Sequence, residues 1–133
     1  MNRFAATLSF AVFTAFAAPA AIAAPAAYPV FFQPWSAAID ANAGSTISIA
    51  AKAAQASPDA PVVVTGSADT VGSEAANKDL AQTRAQVVAD ALVADGVATS
   101  RVAVVSAGEV SSPGTAAGSF AQFSRRVLIQ VGN

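Results

Sequence analysis

Two charged side chains carry the chemistry that this sequence offers. Asp69 and Arg84 both lie in the stretch Gly66 to Ala85, which reads Gly-Ser-Ala-Asp-Thr-Val-Gly-Ser-Glu-Ala-Ala-Asn-Lys-Asp-Leu-Ala-Gln-Thr-Arg-Ala. A carboxylate and a guanidinium held a few ångströms apart complement a zwitterionic head group, with an ammonium on Asp69 and a carboxylate on Arg84. Each such charge-assisted hydrogen bond is worth about 1.5–3 kcal/mol, enough for modest, selective binding. The same spacing also suits a plain ion pair between Asp69 and Arg84, or pairing with Asn77 and the turn, and the residues alone leave both readings open. The chain contains no His and no Cys. That removes the usual general base, thiolate and imidazole ligands, and every Ser-His or Cys-His nucleophile pair, so neither metal nor cofactor is expected. A hydrolase would need a carboxylate mechanism, for which Glu74 and Glu109 are the available glutamates; Glu74 opens a helix and Glu109 falls in a small-residue loop. A non-enzymatic binding protein is the expectation.

The elements that position these groups follow from the apolar pattern. Val62 to Gly66 is a short β-branched run, read as a central strand covered on both faces. Asp69 leaves its end, and four residues of turn carry the chain outward by at most about 14 Å. Ser73 and Glu74 then start a helix running to about Asp95, with Gly96 as its stop. Arg84 lies about eleven residues in, roughly 16 Å back along the axis, so the two charges reach similar heights at one rim of the sheet. The apolar set of this helix reads as Ala76, Leu80, Val87, Val88, Ala91 and Leu92.

Earlier in the chain, Tyr28 to Gln33 reads as a first strand ended by Pro34 and Trp35. Trp35 suits a lid on the core or a ligand platform. Ser36 to Ala56 reads as a first helix with Asp40 a candidate cap and Ala43, Ile47, Ala50, Ala51 and Ala54 on one face. Arg101 to Ser106 and Arg125 to Val131 are the third and fourth strands, separated by a loop rich in small residues. The expected fold class is α+β, an α/β sandwich of order βαβαββ with two main helices on a mixed sheet of about four strands.

The 133 residues suffice for one domain, and the 54% hydrophobic content against 11% charged is densest at the start. Arg3 precedes the apolar run Phe4 to Ala18, Pro19 breaks it, and Ala21-Ile22-Ala23 offers a small-residue cleavage pattern. Residues 1–23 therefore read as a secretory signal peptide, 24–28 as a spacer and 29–133 as the domain. An uncleaved anchor is the competing reading of the first segment. Without Arg3, six basic residues face eight acidic ones, a weak net charge of −2 that argues against nucleic acid and against electrostatic docking on anionic lipid. No integral span is expected in the mature chain.

The central motif resembles that of the OmpA-like peptidoglycan-binding domains found in outer-membrane protein A, the peptidoglycan-associated lipoprotein and flagellar stator proteins. Gly66, Asp69, Gly72-Ser73, Asn77, Leu80 and Arg84-Ala85 hold the places of that family's motif, and Gly108-Glu109 and Arg125-Arg126-Val127 are similar to later segments. The resemblance covers roughly Pro29 to Val131. It implies a periplasmic protein, associated with the cell wall or outer membrane, that binds the diaminopimelate residue of the peptidoglycan stem peptide without covalent chemistry. Asp69 and Arg84 would hold the two charged ends of that side chain, Asn77 would order the site, amides around Gly72 would donate to a carboxylate, and Arg125 or Arg126 would line the groove. The sequence departs from the pattern at Ala68, Ala81, Ser124 and Gln33-Pro34-Trp35, which thins the polar support. A degenerate relative acting through protein contacts, with an envelope partner, is the alternative. On this reading Asp69→Ala and Arg84→Ala each abolish binding with little loss of folding.

Overall fold

The structure is a computed structural model that describes residues 25–111 and 121–132. The expected signal peptide, and most of the small-residue loop before Arg125, lie outside the described residues. The elements run β1 (Ala26–Phe31), α1 (Ala41–Ala56), β2 (Val62–Ala68), α2 (Glu74–Ala94), β3 (Val102–Glu109) and β4 (Arg126–Val131), with short 3-10 turns at Thr99–Arg101 and Gln122–Ser124. The four strands form one mixed sheet in the order β1-β4-β2-β3. β4 is antiparallel to both neighbours, and β2 lies parallel to β3. This is the expected α+β arrangement, two helices on a four-stranded sheet. None of the described helices is long and apolar enough to cross a membrane.

The core lies between the helices and one face of the sheet. Val127, Ile129 and Val131 are buried in alternation along β4 while Arg126, Leu128 and Gln130 are half-buried, the period of two expected of a strand with one covered face. Val62 and Val64 of β2 join them together with Ile47, Ala50 and Ala54 of α1 and Val88 and Leu92 of α2. β2 is central in the sheet but not sandwiched. Val63 and Thr65 remain half-buried because both helices pack on the opposite face.

Local chemistry sets where the helices begin. Asp40 caps α1 by accepting from the Ala43 amide at 2.8 Å, so the helix starts at Ala41 rather than Ser36. Ser73 caps α2 through the Ala76 amide, with Glu74 in the first turn where a negative charge favours the helix dipole. β1 begins at Ala26, two residues inside the segment read as spacer.

The buried stripe of α2 shares Val88 and Leu92 with the apolar set expected from the sequence and otherwise departs from it. Ala76 is exposed and Leu80, Val87 and Ala91 are half-buried, whereas Asn77, Ala81, Arg84, Ala85, Val88, Ala89 and Leu92 face inward. Two polar residues and three alanines on the inward face hide that face from any hydrophobicity pattern. The alanines have a steric purpose. A Cβ placed on Gly66 would sit 2.0 Å from the Ala81 carbonyl oxygen and 3.0 Å from the Ala85 Cβ. β2 and α2 thus approach backbone to backbone. Gly66→Ala is expected to force them apart and to cost about 2 kcal/mol, within the range for overpacking, measurable as a lower denaturant midpoint at unchanged slope.

Candidate functional site

At the rim of the sheet the ends of β2 and β3, the first turns of α2, the segment after β1 and the start of β4 converge. Arg84 is the largest fully buried side chain of the described residues, with no exposed surface. Its Nε donates to the Ser36 carbonyl at 2.8 Å, Nη1 to the Ser67 carbonyl at 3.0 Å and Nη2 to the Gln33 carbonyl at 2.9 Å. The guanidinium lies 5.3 Å from the centre of the Phe32 ring, within cation–π range. Burial lowers its pKa to about 10, Asp69 opposes that shift and Arg125 adds to it. At neutral pH the group remains a cation.

Asp69 does not pair with Arg84. Its Oδ2 receives Arg125 Nη1 at 3.1 Å, and its Oδ1 receives the Val71 amide at 3.3 Å. Arg125 is tied in place by donating from Nε to the Phe32 carbonyl at 3.2 Å. Three charges therefore meet at one rim: Asp69 between two cations, bonded to one and electrostatically coupled to the other. The arginine pair is split by strand geometry. Arg125 precedes β4 and turns into the site, while Arg126 pairs with Phe31 on the strand and points to the face opposite Val127.

Asn77 organises the turn between β2 and α2. Its Nδ2 donates to the Val71 carbonyl at 3.0 Å and to Glu109 Oε1 at 2.7 Å, and its Oδ1 is buried without a partner. Both acceptors demand the amide nitrogen, which fixes the side chain's orientation. Glu109 is thereby placed at the end of β3, opposite Ala68, rather than in a loop. Gly72 has φ +98°, a conformation natural to glycine.

The segment Gln33–Ser36, expected as a strand end followed at Ser36 by the first helix, is a turn that supplies two of the three carbonyls that hold Arg84. Ser36 N–H donates to the Gln33 carbonyl at 3.2 Å, closing a tight turn with Pro34 and Trp35 at its centre. Trp35 has φ 57°, the left-handed value that a type II turn gives its third residue and that costs a non-glycine about 1–2 kcal/mol. The residue is 53% exposed and the Cη2 edge of its indole abuts Gly72, where an added Cβ would collide with it. It is not a lid on the core. The available signal was Pro34, which suits the second position of such a turn.

Two clefts flank this cluster. One, of ≈ 400 Å³, runs between the end of β1 and the start of α1 and is lined by Gln33, Asp40, Asn42, Thr46, Gln122 and Arg125 among others. The second, of ≈ 450 Å³, lies between Glu74 and Lys78 of α2 and Ser106 to Glu109 of β3. Arg125 borders both the first cleft and the Asp69 carboxylate, so an elongated ligand at the charged rim has room to extend.

The departures from the expected motif are now explicable in part. Ala81 is fully buried and its backbone carbonyl lies against Gly66, and Ser124 is buried at the base of the site, its carbonyl accepting from Ser67 Oγ at 2.7 Å. The structure gives no separate account of Ala68.

Comparison with known proteins bears on the family and the fold. Residues 31–126 match the OmpA family. The peptidoglycan-associated lipoprotein of Burkholderia pseudomallei superposes with a TM-score of 0.69 at 26% identity, over 77% of this chain and 89% of that one. The OmpA-like domain of FopA1 from Francisella tularensis gives 0.69 at 23% identity over 79% and 70%, a likeness of fold. In sequence, the peptidoglycan-binding protein ArfA of Mycobacterium tuberculosis is 47% identical over 57 residues, which are 43% of this chain and 18% of ArfA. With the family signature spanning most of its length, this chain belongs to the OmpA family.

Proposed function

We propose that this protein binds peptidoglycan non-covalently in the cell envelope, on the periplasmic side, and that it recognises the diaminopimelate residue of the stem peptide. The observation that carries the reading is the convergence of Asp69, Arg84 and Arg125 at one rim, with Asn77 holding the intervening turn. Family membership and the similarity to a peptidoglycan-binding protein support it.

In this reading the ligand ammonium joins Asp69, whose carboxylate is already oriented by Arg125 and the Val71 amide. The ligand carboxylate goes to Arg84. That guanidinium is covered, so a carboxylate reaches it by replacing the Gln33 and Ser36 carbonyls. The exchange is favourable in kind, because a charged acceptor makes a stronger bond to guanidinium than a neutral carbonyl does. The orphan Oδ1 of Asn77 and the amides around Gly72 are further groups that a ligand can satisfy. Arg126, on the far face of β4, has no part in it.

The test is a pull-down on two purified cell walls, one carrying diaminopimelate and one carrying lysine at the third stem position. Lysine has the ammonium and lacks the second carboxylate. Retention on the first wall alone is the expected result. Equal retention on both would remove the role of Arg84, and retention on neither would move the function to protein contacts.

A further inference from the structure

We propose that Trp35 is a ligand-contacting, specificity-determining residue of this site, its indole forming the wall against which the aliphatic chain of the bound diamino acid packs. The inference rests on the proposed function and deepens it. Four observations converge on it. Trp35 as a residue is about half exposed and is absent from the buried core, so core packing does not account for it. Its backbone is held at φ 57°, a conformation that glycine adopts freely and that bulky residues keep mainly where surrounding structure and function require it. The Cη2 edge of the ring abuts Gly72, a position with no side chain to displace it, so the ring faces are not what Gly72 covers. The turn that carries the indole supplies the two carbonyls on Arg84, from Gln33 and Ser36, that a ligand carboxylate would replace, so the indole stands beside the place that carboxylate takes.

The chemistry is that of a ligand charged at both ends with methylenes between them. Asp69 and Arg84 address the ends, and neither offers an apolar surface to the middle. Phe32 is buried beneath the Arg84 guanidinium and Phe31 and Phe123 meet each other edge to face, whereas Trp35 is an exposed aromatic carried on the turn that is bonded to Arg84. An indole supplies a large, rigid apolar contact at low entropic cost, and its face also attracts a nearby ammonium.

Trp35 is the single tryptophan of the chain, so its fluorescence reports on this position alone. The experiment titrates the purified protein with a soluble muramyl tripeptide ending in meso-diaminopimelate, following heat and tryptophan emission together, for wild type, Trp35→Phe, Trp35→Gly and Asp69→Asn. Expected are an emission change that saturates with the same constant as the heat, binding about tenfold weaker in Trp35→Gly, and binding within about threefold of wild type in Trp35→Phe, as an aromatic wall requires. Trp35→Gly is expected to melt no lower than wild type, since it relieves the turn. Wild-type binding with no emission change, or Trp35→Gly binding as well as or better than wild type while Asp69→Asn fails, would overturn the role of Trp35 and leave the site intact. Heat from none of the proteins would overturn the peptidoglycan reading and this inference with it.

Discussion

Arg84→Ala is expected to lower the stability of the fold by about 3 kcal/mol or more, in the range for removing one member of a buried charged network, and to abolish ligand binding at the same time. The truncation leaves the carbonyls of Ser36, Gln33 and Ser67 without their donor, and each buried acceptor stranded in this way costs about 1–3 kcal/mol unless water reaches it. It also opens a cavity beside Phe32 and releases the turn that carries Trp35. This corrects the expectation that the arginine can be removed with little loss of folding: the side chain is as much a strut as a ligand. Urea unfolding of the variant is the check, and a midpoint equal to wild type would show that the three carbonyls find other partners. Arg84→Lys separates the two roles. It keeps the positive charge but has no planar fork to reach three acceptors, so it should recover part of the binding and little of the stability. The sign of the pH effect follows from burial. Folding lowers the pKa from its ordinary value to about 10, so the folded state releases this proton first, and this group's contribution to stability rises as pH climbs above about 10 toward that ordinary value.

Asp69→Asn is expected to reduce peptidoglycan affinity about a hundredfold, toward the upper end of one charge-assisted hydrogen bond lost to a ligand ammonium. The substitution is nearly isosteric and can still accept from the Val71 amide, so the turn should keep its shape. It leaves the Arg125 and Arg84 cations facing each other without the carboxylate between them, which repels an incoming ammonium as well as failing to bind it. Loss of stability should be smaller than for Arg84→Ala, because the Asp69–Arg125 pair retains some solvent contact and Arg125 keeps its bond to the Phe32 carbonyl. Isothermal titration beside thermal melting separates the two effects. Affinity within threefold of wild type would remove Asp69 from the ligand and make the pair structural.

What was legible in the sequence was legible for local reasons. Asp40, Ser73 and Gly96 mark helix ends because capping is settled within three or four residues. β4 declares itself as a short apolar run behind the arginine pair, and the α1 stripe from Ala43 to Ala54 through helical spacing. The fold class followed from the order of these elements and from the motif between Gly66 and Ala85. The inward face of α2 escaped the same reasoning because its core contact is made by small and polar residues. Ala81 and Ala85 are there to meet Gly66, and Asn77 and Arg84 to meet groups from other elements, which no periodicity of hydrophobic residues can register.

The candidate site shows the same division. That Asp69, Asn77 and Arg84 belong to one rim was written in the spacing of a strand, a turn and a helix, since a strand end and a helix that folds back over it must bring them to similar height. Which charge bonds to which was decided by partners remote in the chain. Arg125 takes the Asp69 carboxylate from the entrance to β4, Glu109 takes the Asn77 amide from the end of β3, and the turn after β1 takes Arg84. Those partners are brought in by sheet order and register, which are set by packing over the whole core. The sequence determined the fold and the identity of the charged groups because both rest on short-range patterns. Only the tertiary structure decided that the guanidinium is enclosed and that the carboxylate faces Arg125, because hydrogen-bond geometry depends on where distant backbone carbonyls come to rest.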